Sequence, residues 1–408
     1  MPTLTSVLVK PVSADCNLAC DYCFYRPKAA LYPESRRHRM DEAVLETLIA
    51  DFMALAGPEV SFGWQGGEPL LAGLDFFRKV VHFQQRYGRP GTLVGNGFQT
   101  NGTLLDESWA RFFQEYRFLV GVSLDGPPEV HDSYRHSPTG QPSHARVMAA
   151  IEWLRRYQVE FNILVLLNPL NVVRPREIYQ YFLEQGLRYW QFIPCVEPDP
   201  ATGRAADFSI TPEQYGTFLC ETFDLWISAG PQAPYIRMFD DLLAVYLGYE
   251  APCCLFQREC GQYVVIEHNG DVYACDFFVE PEWFLGNLME TPLADIVASA
   301  RAREFRLRKR RLDPACQSCE WQFLCYGGCP RHRTALQPEI ARPSYFCESY
   351  RRFFAHSRPG FLKLKERIER RQRRRLAGLF REPRRSPWPL PERRNGEWRV
   401  ENGKGWPG

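Results

Sequence analysis

The sequence predicts an α/β chain in two parts, a partial (β/α)6 barrel followed by a cysteine-rich domain. In the first half, short strand-forming runs alternate six times with stretches of helical spacing, a pattern that favours a parallel sheet covered by helices. In the second half, cysteines crowd together from Cys253 to Cys347. A chain of 408 residues buries an adequate core without covalent staples, so the array has another purpose than stabilising a small fold.

The first strand reads at 7–12 and leads into a cysteine-bearing loop. A helix follows over 41–56, with Val44, Leu45, Leu48, Ile49 and Phe52 on one face. Further strands read at 60–64, 92–100, 118–124, 161–167 and 189–194, separated by amphipathic segments at 74–87, 106–116, 145–157 and 175–184. Six strands are too few for a closed eight-stranded barrel, so an open or partial barrel is expected, with functional groups where strands end and loops begin. The barrel is assigned to 1–230, the cysteine-rich domain to 231–356 and a basic tail to 357–408.

The formal charge of +2 conceals an asymmetry. Beyond Ser357 there are 16 lysines and arginines against 6 acidic residues, so the rest of the chain is net acidic. Residues 362–379 read as a basic helix, and 384–408, rich in proline, arginine and glycine, as a disordered, solvated tail. No aromatic–basic module accompanies the tail, so nucleic acid is not the expected partner. The N-terminus lacks a basic segment followed by an apolar run, and no stretch approaches the ~18 apolar residues of a membrane span. The reading is a cytoplasmic protein in a reducing compartment, with no membrane partner.

Cys16, Cys20 and Cys23 stand in the order C-x3-C-x2-C. Three thiolates so spaced hold three corners of a cubic iron–sulfur cluster and leave the fourth iron open to a small molecule. The alternative, a zinc site, normally uses paired CxxC arms or added histidines. With Tyr22 before the third cysteine, the motif resembles the signature of the radical S-adenosylmethionine (SAM) enzymes. That resemblance implies that SAM chelates the open iron and is cleaved to a 5′-deoxyadenosyl radical. It also implies that Gly66, Gly67, Glu68 and Pro69, at the end of the second strand, hold the SAM amino group. Ser123, at the end of the fourth strand, and Arg135, in the following loop, are implied for ribose and carboxylate, arginine matching a carboxylate through its planar donors. Tyr22 is a candidate to stack near adenine. His131 and His136 read as surface or loop polarity.

The later cysteines form a second pattern. Cys260 and Cys275 flank Gly270 as C-x9-G-x4-C, Cys316, Cys319, Cys325 and Cys329 read C-x2-C-x5-C-x3-C, and Cys347 follows. This resembles the SPASM extension of peptide-modifying radical SAM enzymes. The resemblance implies two auxiliary [4Fe-4S] clusters, one on Cys254, Cys260, Cys275 and Cys329, the other on Cys316, Cys319, Cys325 and Cys347. With the N-terminal cluster that makes three. Cys195, Cys220 and Cys253 are left as free thiols packing like small hydrophobes.

Asp276 directly follows Cys275 and precedes Phe277 and Phe278. This segment, together with Lys10-Pro11 before the first cluster motif and Cys23-Phe24-Tyr25 within it, is similar to the anaerobic sulfatase-maturating enzymes. The similarity runs from about residue 7 to about residue 354. It implies oxidation of a cysteine or serine in an unfolded sulfatase polypeptide, within a Cys/Ser-x-Pro-x-Arg context, to Cα-formylglycine. Asp276 is then the base that takes the substrate's thiol or hydroxyl proton, and a flavodoxin- or ferredoxin-type protein the electron donor. Two alternatives stand beside it. One is another SPASM peptide maturase forming thioether or other cross-links, disfavoured because fifteen residues before Cys16 leave no room for a leader-binding domain. The other is a non-catalytic multi-cluster electron carrier, for which the SAM-binding elements have no purpose.

Overall fold

A computed structural model of the chain describes residues 4–381, apart from 56 and 338. Six strands follow one another in parallel: β1 (Ser6–Lys10), β2 (Glu59–Trp64), β3 (Leu93–Thr100), β4 (Leu119–Ser123), β5 (Phe161–Leu167) and β6 (Tyr189–Pro194). Between them come α1 (Glu42–Leu55), α2 (Leu74–Tyr87), α3 (Glu107–Glu115), the single turn α4 (Pro128–His131), α5 (His144–Arg156) and α6 (Pro175–Glu184). β1 stops two residues earlier than expected. Ser13 adopts a left-handed φ of 48°, which turns the chain out of the sheet and into the cysteine loop.

The sheet extends beyond these six strands. At one edge β7 (Tyr235–Ile236) pairs in parallel with β6. At the other, β8 (Tyr263–Glu267) runs parallel to β1 and carries β9 (Asp271–Tyr273) and β10 (Phe284–Asn287) as antiparallel neighbours. The order is β10-β9-β8-β1-β2-β3-β4-β5-β6-β7, an open ten-stranded sheet. The cysteine-rich segment therefore contributes strands directly beside β1. Its Tyr-Val-Val-Ile-Glu run lies between two cysteines and is too short for periodicity to distinguish a strand from a buried loop.

Aromatic packing fixes the helices on the sheet. Phe77 from α2 meets Phe98 from β3 at 5.0 Å between ring centroids, and Phe98 meets Phe113 from α3 at 4.9 Å. Each such pair adds roughly 0.5–1.5 kcal/mol beyond the burial of its area. Asp106 starts α3 by accepting the Trp109 amide at 3.0 Å, a cap worth about 1 kcal/mol. The helix α7 (Pro212–Ala229) opens on a reciprocal capping box between Thr211 and Gln214.

Residues up to Pro359 form one compact unit and those from Gly360 a second. Within the first, the opening turns of the C-terminal helix (Cys347–Arg381) lie against α7. Ser349 Oγ donates to the Pro212 carbonyl at 2.6 Å, and Tyr215 packs on Phe346 at 5.0 Å. A Cβ on Gly216 would stand 3.2 Å from the Ser349 backbone, so the small residue permits the approach. This contact brings Cys347 to the barrel side of the cysteine-rich region. The expected basic helix is part of the same long helix, and the tail expected from residue 384 lies outside the described residues. Among the described residues no helix is long and apolar enough to cross a membrane.

Candidate active site

Parallel strands end on the same side of a sheet, so the loops after β1, β2, β3 and β4 share one face. The loop carrying Cys16, Cys20 and Cys23 is fastened there from three directions. Gly67 and Glu68 donate their amides to the Ser13 and Asp15 carbonyls at 2.7 and 2.8 Å. Asn101, after β3, donates to Asn17 Oδ1 at 2.9 Å and to Cys16 Sγ at 3.6 Å. Beyond β4, the His136 and Tyr134 carbonyls accept the Ala19 and Asp21 amides at 2.7 and 3.2 Å. The glycine pair has a steric reason: Gly66 has φ +144°, and a Cβ on Gly67 would fall 1.9 Å from the Asp15 carbonyl oxygen.

Glu68 is fully buried and accepts hydrogen bonds from the Asn101 amide (2.8 Å), the Leu70 amide (3.1 Å) and Thr100 Oγ1 (2.8 Å). Burial pushes its carboxyl up to about 7 against the pull of those three bonds. Pro69 starts a short 3-10 turn behind it, and Ser123 is buried at the end of β4. Arg135 is also buried, and it makes a two-point pair with Asp125, Nε at 2.9 Å and one terminal nitrogen at 3.2 Å. The edge of the fork expected to face a carboxylate of SAM thus faces a carboxylate of the protein. Asp125 also accepts from Tyr22 Oη and from the Leu166 amide at 2.9 Å. It joins the cysteine loop, the loop after β4 and the end of β5 at one buried carboxylate. The Tyr22 ring lies under the Arg135 guanidinium at 5.3 Å and beside Tyr134.

His131 corrects the expectation of loop polarity. It is wholly buried, with Nδ1 3.3 Å from the Asp125 amide and Nε2 2.9 Å from Ser143 Oγ, and burial pulls its pKa down to about 3. A neutral imidazole there braces the Asp125 loop. His136, by contrast, is partly exposed and pairs with Asp21 at 3.3 Å.

Asp276 is brought to the same face by β8 and β9, which hang beside β1. It is buried and ion-paired with Lys10, the last residue of β1, whose side chain is fully enclosed. The ring of Tyr25 lies 4.1 Å from the Lys10 ammonium, and its hydroxyl donates to the buried Glu267 of β8. Phe24 and Phe277 pack at 4.9 Å, joining the loop of Cys23 to that of Cys275. Sequence reading singled out Asp276 but assigned nothing to Asp125, Asn101 or Glu267, whose partners include residues 33 to 242 positions away in the chain.

All fourteen cysteines are free. Cys16, Cys20 and Cys23 are electrostatic neighbours. Cys275 neighbours Cys260 and Cys329, and Cys254 neighbours Cys275 and Cys329. Cys347 neighbours Cys316 and Cys325, and Cys316 neighbours Cys319. The fold thus brings together one group of three and two of four. Among the described residues, no three His, Cys, Asp or Glu side chains close on a single-ion site. Donor sets made of sulfur alone suit the corners of an iron–sulfur cubane. Burial holds the Cys260 and Cys325 thiols up to about 11 and Cys347 up to about 12, protons that ligation must displace. Cys195 and Cys220 are buried as expected. Cys253 differs: it is half-buried and hydrogen-bonded to Cys254, which with Arg237 and Lys309 draws its pKa down.

Residues 11–182 match the family model described as the radical SAM superfamily, and residues 253–320 match one described as an iron-sulfur cluster-binding domain. A chain that joins an open parallel barrel, a three-cysteine loop and this second domain is a radical SAM enzyme with SPASM-type iron–sulfur cofactors. The chain is 39% identical over 384 residues to the serine-type anaerobic sulfatase-maturating enzyme of Bacteroides thetaiotaomicron, covering 90% of this chain and 92% of that one. It is 36% identical over 371 residues to the cysteine-type enzyme of Clostridium perfringens (strain 13 / Type A), covering 90% and 100%. It superposes on native anSMEcpe with bound AdoMet and Cp18Cys peptide with a TM-score of 0.83 at 35% identity, over 89% of this chain and 99% of that one. The chain belongs to the anaerobic sulfatase-maturating enzymes.

Proposed function

We propose that the chain oxidises a cysteine or serine of an unfolded sulfatase polypeptide, in a Cys/Ser-x-Pro-x-Arg context, to Cα-formylglycine. Asp276 carries this reading. It is a buried carboxylate that immediately follows one cluster cysteine and sits at the end of β1, where the first cysteine loop begins. A carboxylate is the kind of proton acceptor that a thiol or hydroxyl requires, and the ion pair with Lys10 fixes its position there.

In this reading Cys16, Cys20 and Cys23 hold the first [4Fe-4S] cluster, and the two groups of four hold the auxiliary clusters. When bound, these groups and SAM supply a 5′-deoxyadenosyl radical at the substrate's Cβ hydrogen and a sink for the electron that carbon then loses. The protein's share is placement. Gly66 and Gly67 let the second loop close on the cysteine loop, while Glu68 accepts from the SAM amino group and Ser123 meets its ribose. Arg135, with Nε and one terminal nitrogen taken by Asp125, has only its other terminal nitrogen to offer the carboxylate, and Tyr22 borders the adenine side. Holding the substrate Cβ within reach of the radical converts a bimolecular encounter into an intramolecular one. Oxygen-sensitive iron–sulfur clusters suit a reducing cytoplasm, where a flavodoxin or ferredoxin is the proposed donor.

The test is mass analysis of a Cys-x-Pro-x-Arg peptide after anaerobic incubation with SAM, reductant and reconstituted enzyme. The expected product has exchanged the cysteine sulfur for an aldehyde oxygen. SAM cleavage with an unmodified peptide, or with a cross-linked one, would count against the assignment.

A further inference from the structure

Two cations are buried in the cysteine-rich region without a carboxylate. Lys309 is 1% exposed, and its ammonium donates to the Cys254 and Leu255 carbonyls at 2.7 and 3.0 Å. Arg333 is 4% exposed. Its guanidinium is ringed by main-chain oxygens: Tyr326 and Gly327 at 2.8 Å, Lys309 at 3.0 Å and Arg311 at 3.1 Å. Among the described residues neither forms an ion pair with Asp or Glu. The loop is shaped for the arginine, since Gly327 has φ +74° and a Cβ on it would lie 2.3 Å from Arg333 Nη2.

A buried cation satisfied only by neutral carbonyls still lacks a counter-charge, and such charges are costly unless something anionic is present. The groups that face them are cysteine sulfurs, which become anionic thiolates on ligating iron. Lys309 is within electrostatic reach of Cys254, Cys260 and Cys329. Arg333 reaches Cys260 and Cys329 on one side and Cys316 and Cys325 on the other. Lys309 also acts on Cys325, so each cation faces cysteines of both groups, Lys309 lying closest to the first through its bond to the Cys254 carbonyl.

We propose that Lys309 and Arg333 are built-in counter-ions of the auxiliary clusters that raise their reduction potentials, Lys309 acting most strongly on the first cluster and Arg333 on both. The proposal rests on the ligand sets given above. A cubane held by four thiolates is anionic and becomes more so by one charge when it accepts one electron, so a fixed cation nearby stabilises the reduced form more than the oxidised one. The electron is the one lost by the substrate carbon. Neither side chain touches the substrate, and both act through the acceptor.

The experiment is an anaerobic potentiometric titration of the full reconstituted chain, followed by electron paramagnetic resonance and paired with iron analysis. Lys309→Gln keeps a donor for the two carbonyls but removes the charge, and Lys309→Arg keeps the charge. Lys309→Gln is expected to retain parent iron and lower the midpoint of the first auxiliary cluster more than that of the second, Lys309→Arg to stay near the parent, and Arg333→Gln to lower both auxiliary midpoints. The N-terminal cluster should be unmoved in all three. If Lys309→Gln fails to load a cluster that Lys309→Arg loads, the need for charge is equally shown. Fully loaded Lys309→Gln with every midpoint at the parent value overturns the proposal, as does failure of both Lys309 variants to load, which would make Lys309 a packing residue. A parent protein binding iron for a single cubane would overturn the ligand assignment itself, a separate and recognisable failure.

Discussion

Asp276 and Glu68 are both buried carboxylates near the first cysteine loop, yet their surroundings give them different work. Asp276 is ion-paired with the Lys10 ammonium. Asp276→Asn is nearly isosteric but cannot take a proton at neutral pH. We expect it to keep its clusters and to cleave SAM, while formylglycine yield falls by about 10²-fold or more. Deuterium at the substrate Cβ, traced into 5′-deoxyadenosine, separates hydrogen abstraction from deprotonation; formylglycine formation near the parent rate would make Asp276 structural. Among the described residues Glu68 forms no ion pair, and burial holds it up to about 7. The N–H donors of a bound SAM amino group favour its ionised form. Binding must then displace a proton at pH below about 7, at a cost approaching ~1.4 kcal/mol per pH unit. SAM affinity should weaken as pH falls from 8 to 6, and Glu68→Gln should weaken binding at pH 8 and flatten that slope. Equilibrium dialysis at the two pH values measures both effects, and an equal slope in the variant would remove Glu68 from the site.

At the scale of elements, the decisive contact is between the turn after β2 and the loop after β1. Gly67 allows backbone to meet backbone where a methyl group would overlap the Asp15 carbonyl oxygen. Main-chain atoms cannot give way as a flexible side chain does, so Gly67→Ala has to push the cysteine loop outward. The expected result is loss of the N-terminal cluster and of SAM cleavage, with the auxiliary iron retained. Iron analysis and 5′-deoxyadenosine formation check it. Wild-type cleavage by Gly67→Ala would show that the loop tolerates the displacement. Cys16→Ala should give the same iron deficit without moving the loop.

At the scale of the whole molecule, one sheet and one helix tie the cysteine-rich region to the barrel. β8 lies parallel to β1 through five paired positions, and the first turns of the C-terminal helix rest on α7. The second group of four cysteines draws on that helix through Cys347 and on the segment from Cys316 to Cys325. Ligation would therefore connect distant parts of the chain, and its free energy would be part of the folding free energy. Cys275→Ala and Cys325→Ala should each lower the melting temperature of the reconstituted protein by roughly 5 °C or more, together with iron content and turnover. Unchanged melting and iron in both variants would take these two cysteines out of the ligand set.

Local pattern in the sequence determined the six strand–helix units, the cysteine spacings and the loops at which Gly66, Glu68, Ser123 and Asp276 stand, because periodicity and short motifs are properties of neighbouring residues. Tertiary structure alone decided that β8 joins β1 and so carries Asp276 to Lys10, that Asp125 is the common partner of Tyr22 and Arg135, and that His131 is buried. It likewise placed Lys309 and Arg333 among the cysteines. Most of these depend on pairings across tens to hundreds of residues, and buried charge finds its partner only when the chain has closed around it. An isolated charged residue in a sequence reads as solvated surface by default, which is why the buried cations were illegible until the fold enclosed them.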